Sequence, residues 1–378
     1  MEKRHCGIYV HIPFCRQKCR YCDFLSAPGD SKCIREYVSA LKNEIRSYKE
    51  IASEYVADTI YFGGGTPSIL EPEFVEEIVG ELKGCFDLRN SEEFTFEVNP
   101  GTVTPQKLKG YKALGINRLS VGVQSTDDEK LRLLGRIHNF KEAVECVEAI
   151  KESGFDNFSL DVISALPGQS IKDYERDLEK IIGLEPKHIS SYSLIIEPGT
   201  PFFKDYGEGG SKRGDLPDEE TDRKMYALTK EMLKRAGYER YEISNYAKPG
   251  FQSKHNSSYW TGKEYFGLGL GASSLVNNVR YSNVRDLKEY FNDPSKHVIE
   301  ERLDKAALMA EFMILGLRMV RGVSKKEFEK RFETGFDDIY GNVLKKLKPA
   351  GVITEEDDTV RLTDYGLDVS NSVFEEFL

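Results

Sequence analysis

Cys15-Arg16-Gln17-Lys18-Cys19-Arg20-Tyr21-Cys22 follows directly on the apolar run Ile8-Tyr9-Val10-His11-Ile12-Pro13-Phe14. Three thiols spaced x3 and then x2 can converge on one small inorganic centre from a single loop. Iron–sulfur clusters are held by Cys thiolates, normally four of them. Three ligands leave one iron of a 4Fe-4S cube without a protein partner. That is the cluster counterpart of a catalytic zinc site that keeps one position open for substrate. A structural zinc site would need a fourth ligand and favours paired C-x2-C units. His11 is the nearby candidate for that ligand.

The rest of the chain must present this loop. Short β-rich runs alternate with amphipathic helical stretches through the first two hundred residues, the pattern of βα units and a parallel sheet. The predicted strands are Gly7–Ile12, Thr59–Phe62, Glu93–Val98, Arg118–Val123, Asn157–Ile163 and Ile189–Ile195. Helical runs between them include Ile34–Tyr48, Glu73–Cys85, Lys141–Glu152 and Lys172–Ile182. Six such units suit an open, partial (β/α)6 barrel, where function gathers at the C-terminal strand ends. The thiol loop follows the first predicted strand, so spacing and topology agree.

At 378 residues the chain exceeds a single typical core. We divide it into a barrel over 1–200, an α+β extension over 201–300 and a small C-terminal helical domain over 301–378. Net charge of −10 argues against a nucleic-acid footprint, which needs clustered Lys and Arg. No apolar run approaches the roughly 20 residues of a membrane helix, and Met1-Glu2-Lys3-Arg4-His5 lacks a signal-peptide core. Seven cysteines, an odd number, fit a reducing compartment better than a disulfide framework. Cys6, Cys33, Cys85 and Cys146 read as packing residues. A cytoplasmic location is expected.

Polar residues recur at the strand ends. The second strand runs into Gly63-Gly64-Gly65-Thr66-Pro67, whose glycines allow close backbone approach. The third ends in Phe96-Glu97-Val98-Asn99-Pro100, and a carboxylate there is costly to bury unpaired. Gln124 follows the fourth strand, with Arg136 beyond it as a charged fork suited to a carboxylate. Asp161 lies inside the apolar fifth strand. Any one of these residues would also serve in a structural ion pair.

The Cys spacing, with an aromatic residue before the third Cys, resembles the radical S-adenosylmethionine (SAM) superfamily. Tyr9-x-His11-x-Pro13-Phe14-Cys15 is similar to the branch containing the HemN coproporphyrinogen III oxidases and the HemW haem chaperones. The resemblance covers nearly the whole chain. It implies that Cys15, Cys19 and Cys22 hold the 4Fe-4S cluster and that SAM chelates its open iron. The SAM contacts it implies are Tyr9, Gly64, Gly65, Thr66, Glu97, Gln124, Arg136 and Asp161.

A second informative stretch is His255-Asn256-Ser257-Ser258-Tyr259-Trp260, with the only Trp of the chain. A His flanked by aromatics can ligate haem iron while the rings cover the porphyrin. The same residues also suit a histidine buried and hydrogen-bonded in a turn. The stretch resembles the HemW signature, which implies haem contacts at His255, Tyr259 and Trp260. Gly267, Gly269 and Gly271 lack the strand-then-helix context of a dinucleotide fingerprint. A strand is predicted over Tyr238–Tyr246 and a loop from there to Trp260. Helices over Ala306–Met319, Ser324–Arg331 and Ile339–Lys348, with a hairpin near Glu355–Thr359, read as a winged-helix-like module.

Two functions from different classes follow. One is oxidative decarboxylation of coproporphyrinogen III. The other is a chaperone that hands haem to acceptor proteins. HemN oxidases carry a fourth Cys two residues after the third, where this chain has Phe24, and an N-terminal extension, where only fourteen residues precede Cys15. Both differences favour the chaperone. Haem-accepting proteins and an electron donor are then the expected partners, with transient membrane association and a homodimer left open.

Overall fold

The structure is a computed structural model describing residues 3–378. Its centre is one twelve-stranded sheet, ordered β12-β11-β10-β9-β1-β2-β3-β4-β5-β6-β8-β7. Strands β1 (Arg4–Ile12), β2 (Tyr55–Gly64), β3 (Glu93–Val98), β4 (Arg118–Gln124), β5 (Phe158–Ser164) and β6 (His188–Ser193) are mutually parallel. They are the six predicted strands, with ends shifted by a few residues. Their crossovers carry the helices Ser31–Ser47, Pro72–Cys85, Pro105–Ala113, Phe140–Glu152 and Ile171–Gly183.

Each strand alternates, because successive side chains point to opposite faces. Ile8, Val10, Phe62, Phe96, Leu119, Val121 and Leu160 belong to the main apolar core. The residues between them are polar and bond to one another across strands: Tyr61 to Glu97, and Ser120 to Ser159 and Asp161. The second face therefore lines a polar lumen. Parallel strands buried against helices on both faces would instead read as continuous apolar runs.

The segment after β6 extends the sheet at both edges. β7 (Glu239–Arg240) and β8 (Asn245–Ala247) form an antiparallel hairpin on β6. The single strand expected over Tyr238–Tyr246 is broken because buried Glu242 folds back on the amide of Ser244 and the side chain of Asn245. At the other edge β9 (Tyr265–Leu268) pairs in parallel with β1, followed by β10 (Ser273–Val276), β11 (Val279–Asn283) and β12 (His297–Arg302). The Gly- and charge-rich stretch after Tyr206 is held by Lys212 N–H on the Asp205 carbonyl and Gly168 N–H on that of Asp215.

The C-terminal part packs its own core around Phe328, Phe336, Leu344 and Val360. Helices Lys305–Gly316, Lys325–Phe332 and Phe336–Leu347 surround the three-stranded sheet Val323–Ser324, Ile353–Glu356 and Thr359–Leu362, as a winged helix does. It docks on the β7–β8 hairpin through Val320 N–H on the Tyr241 carbonyl.

Candidate functional site

Beyond β1 the chain makes a loop closed by the bridge between Phe14 and Ala27. Cys15, Cys19 and Cys22 lie in it as half-buried free thiols. Burial pushes the Cys22 thiol up to about 11. The loop is braced from several sides. Arg20 N–H donates to the Leu134 carbonyl, the Arg20 carbonyl accepts from Phe202 N–H, and the Arg20 guanidinium pairs with Asp205 at 2.7 Å. Among the described residues no three His, Cys, Asp or Glu side chains are gathered as a single metal ion requires.

The glycine run meets this loop from β2. A Cβ on Gly65 would stand 2.6 Å from the Phe14 carbonyl oxygen and 3.0 Å from Cys15 Sγ. Gly64 has φ of +110° and would drive a Cβ into the His11 ring. These glycines therefore let β2 lie directly under the thiol loop. Thr66 follows, its hydroxyl donating to Cys15 Sγ at 3.4 Å.

Glu97 accepts from Tyr61 OH at 2.8 Å and from Gly64 N–H at 3.1 Å. Burial, with Asp161 adding like charge, pushes its carboxyl up to about 7. Burial also raises Asp161, which accepts from Ser120 at 3.2 Å. Gln124 has φ of +72° beside the register shift between β4 and β5. Bulges and left-handed non-glycine residues re-aim side chains at functional positions. Arg136 donates to Asn99 Oδ1 at 2.7 Å, to the Gly122 carbonyl at 2.6 Å and to Cys19 Sγ at 3.6 Å. Its Nε is buried without a partner among the described residues.

Thus Gly64, Gly65, Thr66 and Arg136 meet the thiol loop or the groups beside it, and Glu97 and Asp161 sit in the lumen below. Asn99 was not singled out from sequence, yet it joins Thr66 to Arg136. Its place two residues after Glu97, at the same strand end, was the available signal.

The His255 stretch is a helix, Lys254–Trp260, where a loop was expected. Its first turn is capped by Ser253 and by Glu93 on β3, which accepts from the Lys254 and His255 amides. His255 is 1% exposed and stacks on Tyr61. Both ring nitrogens are engaged, Nδ1 with Thr59 and Nε2 with Tyr259 OH, each at 2.9 Å. Burial, with Arg118 adding positive charge, holds it down at about 3. Tyr259 shares its face because the two are four residues apart on a helix of 3.6 residues per turn. Trp260 points elsewhere, under the Arg318 guanidinium at 4.3 Å and against Met319 of the C-terminal part. The structure therefore joins His255 to Tyr259 and separates Trp260 from both.

Tyr259 opens onto a cavity of about 350 Å³. Tyr9 and His11 line it from β1, and Asp23, Phe24 and Leu25 of the thiol loop line it as well, with Arg285 beyond β11. Tyr9 OH lies 3.1 Å from His11 Nδ1, and His11 Nε2 donates to the Leu25 carbonyl.

Residues 9–181 match the Radical SAM superfamily and residues 303–369 the HemN C-terminal domain. The chain is 37% identical to the heme chaperone HemW of Lactococcus lactis, over 98% of this chain and 96% of that protein. It is 37% identical to heme chaperone HemW of Bacillus subtilis and 34% to that of Escherichia coli, over 98% of each chain. The solved structure of coproporphyrinogen III oxidase (HemN) from Escherichia coli superposes with a TM-score of 0.87 at 22% identity, covering 100% of this chain and 91% of that one. No helix among the described residues is long and apolar enough to cross a membrane. By this identity over nearly its whole length, the chain belongs to the HemW heme chaperone family of the radical SAM superfamily.

Proposed function

We propose that this protein binds haem and passes it to acceptor proteins in the cytoplasm, and that it also carries a 4Fe-4S cluster and SAM. The observation that carries the proposal is the cavity, which has the thiol loop at one wall and Tyr259, backed by His255, at another. It brings the two informative stretches of the sequence to one space.

Cys15, Cys19 and Cys22 would hold the cluster. Three free thiols on one braced loop suit a cube, whereas a tetrahedral zinc site brings its ligands within about 4 Å of one another. The residues around them suit SAM as well. Arg136 and the Gly64-Gly65 run would face the methionyl end, while Glu97, Gln124 and Asp161 offer polar groups from successive strands. Bound to the open iron, SAM would supply radical chemistry once an electron donor reduced the cluster.

Haem would be cargo. Tyr9, Phe24, Leu25 and Tyr259 offer apolar and aromatic walls. His255 would reach iron when Tyr259 releases its Nε2, whereas Trp260, packed under Arg318 on the outer face of its helix, stands outside this cavity. The oxidase alternative rests on a fold likeness at 22% identity, which speaks for architecture alone.

Anaerobic reconstitution followed by separate assays of haem binding and coproporphyrinogen III turnover tests the proposal. Haem binding without turnover is expected. Turnover with SAM and a reductant would replace the chaperone by the oxidase.

A further inference from the structure

Asn99 bridges the donors of two different cysteines. Its Oδ1 lies 2.7 Å from Arg136 Nη2, and its Nδ2 lies 2.8 Å from Thr66 Oγ1. A guanidinium can only donate, so the amide oxygen must face Arg136 and the NH2 must face Thr66. That fixes the next link. Thr66 Oγ1 accepts from Asn99, and its single hydrogen is free for Cys15 Sγ at 3.4 Å. At the other end Arg136 Nη1 donates to Cys19 Sγ at 3.6 Å. Five groups form one oriented chain: Cys15 Sγ, Thr66, Asn99, Arg136, Cys19 Sγ.

The backbone holds the centre of this chain. Asn99 N–H donates to Ser68 Oγ at 3.2 Å, and its carbonyl accepts from Thr102 Oγ1 at 2.6 Å. Ser68 and Thr102 are themselves bonded at 2.6 Å and buried. Asn99 therefore has little freedom to turn its amide over.

We infer that Asn99 is a positioning residue that sets the reduction potential of the proposed cluster by orienting the donors on Cys15 and Cys19. This rests on the cluster proposed above. One-electron reduction by an external reductant adds a negative charge that is shared onto the thiolate sulfurs. Donors aimed at those sulfurs stabilise the reduced form, so hydrogen bonding raises the potential. Without Asn99 the Thr66 hydroxyl is free to rotate off sulfur, and Arg136 loses an acceptor that aims it.

The test is an EPR-monitored redox titration of the anaerobically reconstituted full chain with dithionite, alongside iron and sulfide analysis. Asn99→Ala should keep four irons and shift the midpoint to a more negative value. Thr66→Val should shift it in the same direction. Because the two variants share the Thr66 hydroxyl arm, the double variant should shift by less than the sum of the two. An unchanged midpoint in Asn99→Ala with full iron content overturns the inference, and strictly additive shifts do so too. If Asn99→Ala fails to take up iron, Thr66→Val decides, and its unchanged midpoint counts against the chain. Absence of any iron–sulfur signal in the wild type would instead strike at the cluster itself.

Discussion

His255 Nε2 and the Tyr259 hydroxyl lie 2.9 Å apart on one face of a short helix, and Tyr259 is the one that reaches the cavity. A neutral imidazole, held so by burial, has its Nε2 engaged with the phenol at rest. Iron ligation by His255 thus requires Tyr259 to release that bond. Tyr259→Phe should free Nε2 and move the haem Soret band toward that of imidazole-ligated iron. His255→Ala should abolish that signature and weaken haem binding. Identical spectra and affinities for wild type and His255→Ala would remove His255 as the ligand.

Cys19→Ala should abolish the brown chromophore of the reconstituted protein, as should the same change at Cys15 or Cys22. Iron analysis is the check. Retention of four irons per chain in Cys19→Ala would contradict the ligand set.

Asp161 is half-buried and accepts from Ser120 in the lumen. Asp161→Ala should weaken SAM binding by roughly 1.5–3 kcal/mol, the worth of a hydrogen bond to a charged group. Calorimetry on the reconstituted protein measures it, and an unchanged affinity would return Asp161 to a structural role.

Glu44 links the helix Ser31–Ser47 to the far edge of the sheet. It accepts from Gly269 N–H, Asn283 Nδ2 and Tyr290 OH, and burial raises its carboxyl from 4.5 to about 7. The raised value means that the folded state keeps a proton which the unfolded chain gives up. This contribution is full below pH 4.5 and is lost as pH rises to about 7, amounting to about 3 kcal/mol. Glu44→Gln should therefore flatten the fall in stability over that range. Denaturant melts at several pH values would show it, and an unaltered slope would argue that Glu44 is ionised when folded.

Glu93 on β3 caps the helix that carries His255. Glu93→Ala should cost about 1–2 kcal/mol, in the range of lost helix caps. Thermal melts measure the cost. No change in Tm would mean that the Ser253 cap, Thr59 and Tyr61 hold the helix without Glu93.

The six parallel strands and the thiol triplet at the end of the first were legible in the sequence, because alternation along a strand and spacing along a loop are local properties. The winged module was legible for the same reason. Tertiary structure decided the rest. Residues 254–260 form a helix because Glu93, 161 residues upstream, supplies an acceptor for its first turn. That geometry turns Trp260 away from His255. Tyr238–Tyr246 breaks into a hairpin because Glu242 bonds the turn rather than continuing a ladder. Asn99 acquires its place only when β2, β4 and the thiol loop meet around it. Its two partners lie 33 and 37 residues away, and hydrogen bonds over such separations leave no periodicity to read. The sequence alone determined which chemistry-bearing groups the strands deliver to one end of the sheet. Only packing decided which of them touch, since a hydrogen bond forms within a few tenths of an ångström and no local pattern fixes distances that finely.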